Sequence, residues 1–135
     1  MSNTTVPKVV LLVEDNEDDV FLMKRLFHKA KIDIPLKVVT DGQMAVDYLS
    51  GTGAYQDRTV YPIPDLVFLD LKLPFLQGFE VLNWIRKQPE IKSLRVIILS
   101  SSLEDQDRER AVTLGSSYLV KPPTPDVIAG MLSLA

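Results

Sequence analysis

Four short apolar runs in this chain lead into side chains that could do chemistry. Val9–Val13 is followed by Glu14 and Asp15, Leu66–Leu69 by Asp70, Val96–Leu99 by Ser100, and Leu119–Val120 by Lys121. Runs this continuous read as strands buried on both faces of a parallel sheet, so each polar group sits where its strand leaves the core. Parallel strands point one way, which brings all four ends to one rim, the rim where open α/β sheets bind ligands. Three carboxylates gathered there repel one another and are costly without a cation. Their hard oxygens suit Mg²⁺, which keeps several waters and accepts one or two carboxylates plus a phosphate oxygen. Lys121 supplies a compact positive charge for a phosphoryl group, and Ser100 a hydroxyl donor.

The elements that must hold these groups alternate regularly. After the first strand, Val20, Met23, Leu26 or Phe27, and Ala30 recur at helical spacing between Asn16 and Lys31. Asn16 suits the cap of that helix, and Glu17, Asp18 and Asp19 suit its positive N-terminus. Leu36–Thr40 is a second, weaker strand, and Asp41-Gly42 turns it into a helix carrying Met44, Ala45, Val46 and Leu49. Gly51, Gly53, Pro62 and Pro64 mark an extended loop, longer than the usual connection of about 2–6 residues. The Asp70 strand follows, then a helix over about Phe79–Gln88 that Pro89 ends. Arg95–Ser100 is the fourth strand. Ser102 and Asp105 form a candidate capping box for a helix that runs to Leu114 and stops at Gly115. Ser117–Val120 is the fifth strand, and Thr124 caps a last helix from Pro125 to about Leu134. Five strand–helix alternations predict a doubly wound α/β fold, a five-stranded parallel sheet in an α/β/α sandwich.

Composition narrows the function from the other side. A chain of 135 residues suffices for one domain with its own core. With no cysteine, thiol nucleophiles, thiolate metal sites and disulfide scaffolds are excluded. A net charge of -3 leaves no nucleic-acid footprint. No apolar stretch approaches the roughly 20 residues of a membrane helix, and residues 1–8 do not read as a secretory signal. The expectation is a cytoplasmic protein with a short tail over residues 1–8, one domain over 9–135 and no output domain.

Taken together and in this order, Glu14-Asp15, Asp70 with Pro74 and Gly78 behind it, Ser100 and Lys121-Pro122 resemble the receiver domain of two-component response regulators. The likeness spans about residues 9–134. It is closer still in Val13–Asp19, in the loop from Gly51 to Asp65 and in Leu69–Pro74, which are similar to stand-alone regulators paired with phytochrome-type histidine kinases. The resemblance implies the flavodoxin-like strand order 2-1-3-4-5, with Asp15 beside Asp70 and with Ser100 and Lys121 on the other flank. It implies that Asp70 takes a phosphoryl group from a kinase phosphohistidine. Mg²⁺, or Mn²⁺ in its place, would be held by Asp15, Asp70, the Lys72 backbone carbonyl and Glu14, the last directly or through water. Lys121, Ser100 and the Ser101 backbone N–H would meet the phosphoryl oxygens. Tyr118 would follow Ser100 inward and remodel the surface of the fourth helix, fifth strand and fifth helix, a face through which many such regulators pair. Pro122 is a candidate for a cis peptide. The implied partners are a histidine kinase and a downstream target or phosphotransfer protein. The implied chemistry is only the chain's own phosphorylation and dephosphorylation.

Plainer readings stand beside these. Asp70 alone could cap a strand, Glu17, Asp18 and Asp19 read as solvated charges, and Glu104–Arg110 as a solvated helix face. His28 reads as a surface residue and Trp84 as packing. One rival function is a pseudo-receiver, an interaction module without a phosphate cycle. The intact set Glu14, Asp15, Asp70, Ser100 and Lys121 speaks against it. A Mg²⁺-dependent phosphohydrolase is a weaker rival, because Lys72 stands where such an enzyme places its second Asp.

Overall fold

Val10–Val13 and Leu66–Leu69 contain only apolar side chains, and both runs are buried completely or nearly so. They pair in parallel, Val10 opposite Leu66 and Val13 opposite Leu69, and form the middle of the sheet. In the computed structural model, which describes residues 6–101 and 104–132, the strands are β1 (Val10–Val13), β2 (Leu36–Val39), β3 (Leu66–Asp70), β4 (Arg95–Ser100) and β5 (Ser117–Val120). Their spatial order is β2-β1-β3-β4-β5, all parallel. The helices are α1 (Glu17–Lys29), α2 (Gly42–Ser50), α3 (Gly78–Lys87), α4 (Asp105–Thr113) and α5 (Pro125–Met131). This is the doubly wound sandwich expected from the alternation.

Side chains alternate across each strand, so the sheet divides the core into two layers. Leu11, Val13, Val67, Leu69, Val96 and Ile98 face Ala45, Leu49, Val81, Leu82, Ile85 and Ala111 from α2, α3 and α4. Val10, Leu12, Leu66, Phe68, Ile97 and Leu99 face Met23 and Phe27 of α1 and Ile128 of α5. Trp84 packs against the first layer and His28 is exposed, as read from the sequence.

Two local readings change, and a third falls outside the described residues. The segment from Gly51 to Pro64 is not simply extended. It carries a 3-10 turn at Gly53–Tyr55, and Tyr48, Tyr55 and Tyr61 close into one cluster with ring centroids 5.0–5.9 Å apart. Arg58 donates to the carbonyls of Tyr48, Leu49 and Tyr61, capping the end of α2 that the loop leaves open. The N-cap of α4 is Glu104, without a side-chain cap bond; the capping box read at Ser102 rests on a residue outside those described. The helix α5 is assigned to Met131, and Arg95 donates to the Met131 carbonyl, which ties its end to β4.

Candidate functional site

The rim is assembled by the turns that follow β1, β3 and β5. Glu14 continues β1, its N–H donating to the Val39 carbonyl at 3.0 Å, and its carboxylate accepts from the Asn16 N–H at 3.3 Å. Its side chain is 2% exposed, whereas Asp15 is an exposed residue. Asn16 then caps α1 by accepting from the Asp19 N–H at 3.1 Å. Asp70 ends β3 with a side chain 10% exposed, and the Lys72 N–H donates to its Oδ1 at 3.2 Å. Lys72 itself is exposed. Carboxylate oxygens of Glu14, Asp15 and Asp70 all lie within 4.8 Å of one another.

Two close approaches make this geometry available. A Cβ on Gly78 would sit 2.2 Å from the Asp70 carbonyl oxygen, and one on Gly42 would sit 2.1 Å from the Leu76 carbonyl oxygen. Bare backbone at both positions lets the β3–α3 loop lie flat over the starts of α2 and α3. The Gly78 N–H donates to the Leu71 carbonyl at 2.9 Å, closing the turn directly behind Asp70.

Lys121 arrives from the far side of the sheet. Its backbone N–H donates to the Ser100 carbonyl at 2.9 Å, and the Lys121–Pro122 peptide is cis. Its ammonium donates to Glu14 Oε1 at 2.6 Å, to Asp19 Oδ2 at 2.9 Å and to Asp70 Oδ2 at 3.1 Å. Burial by itself would lower the affinity of Lys121 for its proton, but these three carboxylates more than reverse that, and the ammonium is held charged. Burial first, and then the hydrogen bond shared with Asp70, pushes the Glu14 carboxyl up to about 7 against the pull of Lys121. One ammonium does not balance the cluster. That residual repulsion, together with an all-oxygen donor set, fits a hard divalent cation.

Glu17 and Asp18 are exposed, as expected, and with Asp15, Asn16, Asp19, Asp70 and Lys72 they line an open acidic cleft. Asp19 is not a solvated charge, however. It belongs to the site through Lys121, and the sequence had already accounted for an acid in the first turn of a helix. Ser100 is buried at the end of β4, its backbone paired in register with Val120, and Ser101 is exposed in the bend beyond it. Tyr118 is half-buried in β5, with the Arg108 guanidinium 5.2 Å from its ring centroid, a cation–π distance.

A parallel five-stranded sheet whose rim gathers three carboxylates, a serine and a lysine is the architecture of a signalling receiver. The chain belongs to the response regulator receiver domain family, whose model matches residues 10–133. It is 38% identical over 101 residues to the response regulator Rcp1 of Synechocystis sp., covering 75% of this chain and 67% of that protein. Among solved structures, a bacteriophytochrome response regulator, RtBRR, superposes with a TM-score of 0.83 at 35% identity, covering 95% of this chain and 78% of that one. The Mn²⁺-bound form of Rcp1 superposes at 0.79 and 32% identity over 94% of this chain and 91% of the other. The phosphorylated cyanobacterial phytochrome response regulator RcpA superposes at 0.78 and 30% identity over 94% and 87%. The resemblance read from the motifs is therefore borne out, and so are the fold and strand order. No helix among the described residues is long and apolar enough to cross a membrane.

Proposed function

We propose that this receiver accepts a phosphoryl group on Asp70 from the phosphohistidine of a phytochrome-type histidine kinase, in a Mg²⁺-dependent transfer. The observation that carries the reading is the position of Asp70, at the end of a buried strand, clustered with Glu14 and Asp15 and 3.1 Å from the Lys121 ammonium. A carboxylate oxygen of Asp70 attacks phosphorus, the P–N bond to the histidine breaks, and the imidazole leaves with the electron pair. Asp15, Asp70, the Lys72 carbonyl and Glu14, the last directly or through water, would hold the cation, which would supply charge neutralisation for the phosphoryl oxygens. Lys121, the Ser100 hydroxyl and the Ser101 N–H orient those oxygens from the opposite flank.

Ser100 and Tyr118 then carry the change to the α4–β5–α5 face, where a downstream protein or a second copy reads it. Val112 and Val127 are exposed apolar side chains of α4 and α5. The phosphorylated relative RcpA and the Mn²⁺-bound relative Rcp1 support the reading by likeness. The test is intact mass after incubation with Mg²⁺ and acetyl phosphate. Wild type should gain one phosphoryl group that hydroxylamine removes, and Asp70→Asn should gain none. A gain that persists in Asp70→Asn would place the chemistry on another residue.

A further inference from the structure

An ammonium has three N–H donors and no acceptor, and Lys121 spends its donors on three different carboxylates. Two of those, Glu14 and Asp70, belong to the cluster whose oxygens converge within 4.8 Å. Lys121 is thus an internal counter-ion on the same groups that a divalent cation would take, and the two cations compete for them. Asp19 differs from both. It stands on α1, its side chain is 33% exposed, and it lies outside the converging set, so it stays available to Lys121 whatever the cluster holds. The Lys121 side chain is only 17% exposed, and a charge at that depth is costly to leave without a partner.

We infer that Asp19 is a positioning residue that governs cation binding through Lys121. This rests on the cation being held by Glu14, Asp15 and Asp70, as in the function proposed above. When the cation draws Glu14 and Asp70 to itself, Asp19 keeps the ammonium paired at the rim, between α1 and the β5–α5 turn. Without Asp19, Lys121 holds the other two carboxylates against the incoming ion. The cation must then displace a lysine that has no other partner. Asp19 therefore helps cation binding without touching the cation. It also keeps Lys121 where a phosphoryl oxygen on Asp70 can replace the longest of its three bonds.

Removing Asp19 also removes a negative charge from the cleft, and that would weaken cation binding by its field alone. The two effects separate in a double-mutant cycle, because the field does not need Lys121 and the positioning does. Mg²⁺ is titrated by calorimetry into wild type, Asp19→Asn, Lys121→Met and the double variant, with Lys121→Gln in place of the methionine should that protein not fold. The expected result is an apparent Kd raised about three- to fivefold by Asp19→Asn, the scale of one partly exposed ion pair. In the Lys121→Met background the same change should move Kd less than about twofold, within the error of additivity. An unmoved Kd in Asp19→Asn, or an equal change in both backgrounds, overturns the inference and leaves Asp19 a plain surface charge. Wild-type Mg²⁺ binding that Asp15→Ala does not abolish, or no binding at all, overturns the cation site and this inference with it. The two failures are therefore distinct.

Discussion

At the scale of single residues, the site depends on what is absent as much as on what is charged. A methyl group at Gly78 would meet the Asp70 carbonyl oxygen at 2.2 Å and the Leu71 Cα at 2.7 Å, both backbone atoms that cannot swing away. Gly78→Ala should therefore cost about 1–3 kcal/mol, the scale of overpacking, read from urea unfolding, and should blunt the response to Mg²⁺. Mg²⁺ itself should raise the melting temperature of wild type, by the equivalent of about 2.7 kcal/mol once it reaches 100 times its Kd. Asp15→Ala should lose that rise; a variant that still responds would move the cation elsewhere. Glu14, Asp15, Asp70 and Lys121 were legible in the sequence because an apolar run ending in a charge is conspicuous. Asp19 was not. An acid near a helix start already has a sufficient local cause in the helix dipole. Only the arrival of Lys121 from a point 102 residues away gives it a second role.

At the scale of elements, two arginines do what regular hydrogen bonding leaves undone. Arg58 serves three carbonyls at the junction of α2 and the 51–64 segment. Arg86 donates to the carbonyls of Lys92, Leu94, Leu114 and Gly115, binding the end of α3 to the end of α4. Arg58→Ala strips partners from half-buried carbonyls and should cost about 1–3 kcal/mol. It should also open the segment to chymotrypsin at Tyr55, whose following residue is Gln56. Arg58→Lys should not restore protection, because one ammonium lacks the planar fork that reaches all three oxygens. Unchanged proteolysis in Arg58→Ala would make the tyrosine cluster sufficient on its own. Glycines and prolines announced an irregular segment here, yet its order comes from side chains meeting irregular backbone, which has no period to read. The face Glu104–Arg110 is likewise mostly exposed as expected, but Arg108 lies over Tyr118 and Arg110 lies 4.4 Å over the Phe79 ring. Helical spacing alone does not disclose such contacts.

At the scale of the whole molecule, the sheet separates two apolar layers that must both be complete. Phe68 is fully buried in the α1–α5 layer, and Phe68→Ala should cost about 3–5 kcal/mol, a large share of the roughly 5–15 kcal/mol that holds a domain together. Unfolding in urea, with an unchanged m-value, would check it. The number and type of elements could be read from local pattern. The order β2-β1-β3-β4-β5 could not, since nothing within a strand names its neighbour, and it came with the family resemblance. That order also sets β1 and β5 apart, with β3 and β4 between them, so that the Lys121 ammonium reaches across the rim to groups 107, 102 and 51 residues earlier in the chain. On a ribosome the chain emerges from its N-terminus, and Glu14, Asp19 and Asp70 are all made before their common counter-ion. A chain interrupted before residue 121 has its acids but lacks the ammonium that gathers them. Under the function proposed above, phosphate acceptance would then need a chain made at least through Lys121, and shorter fragments left by stalled synthesis would not compete for the phosphoryl group.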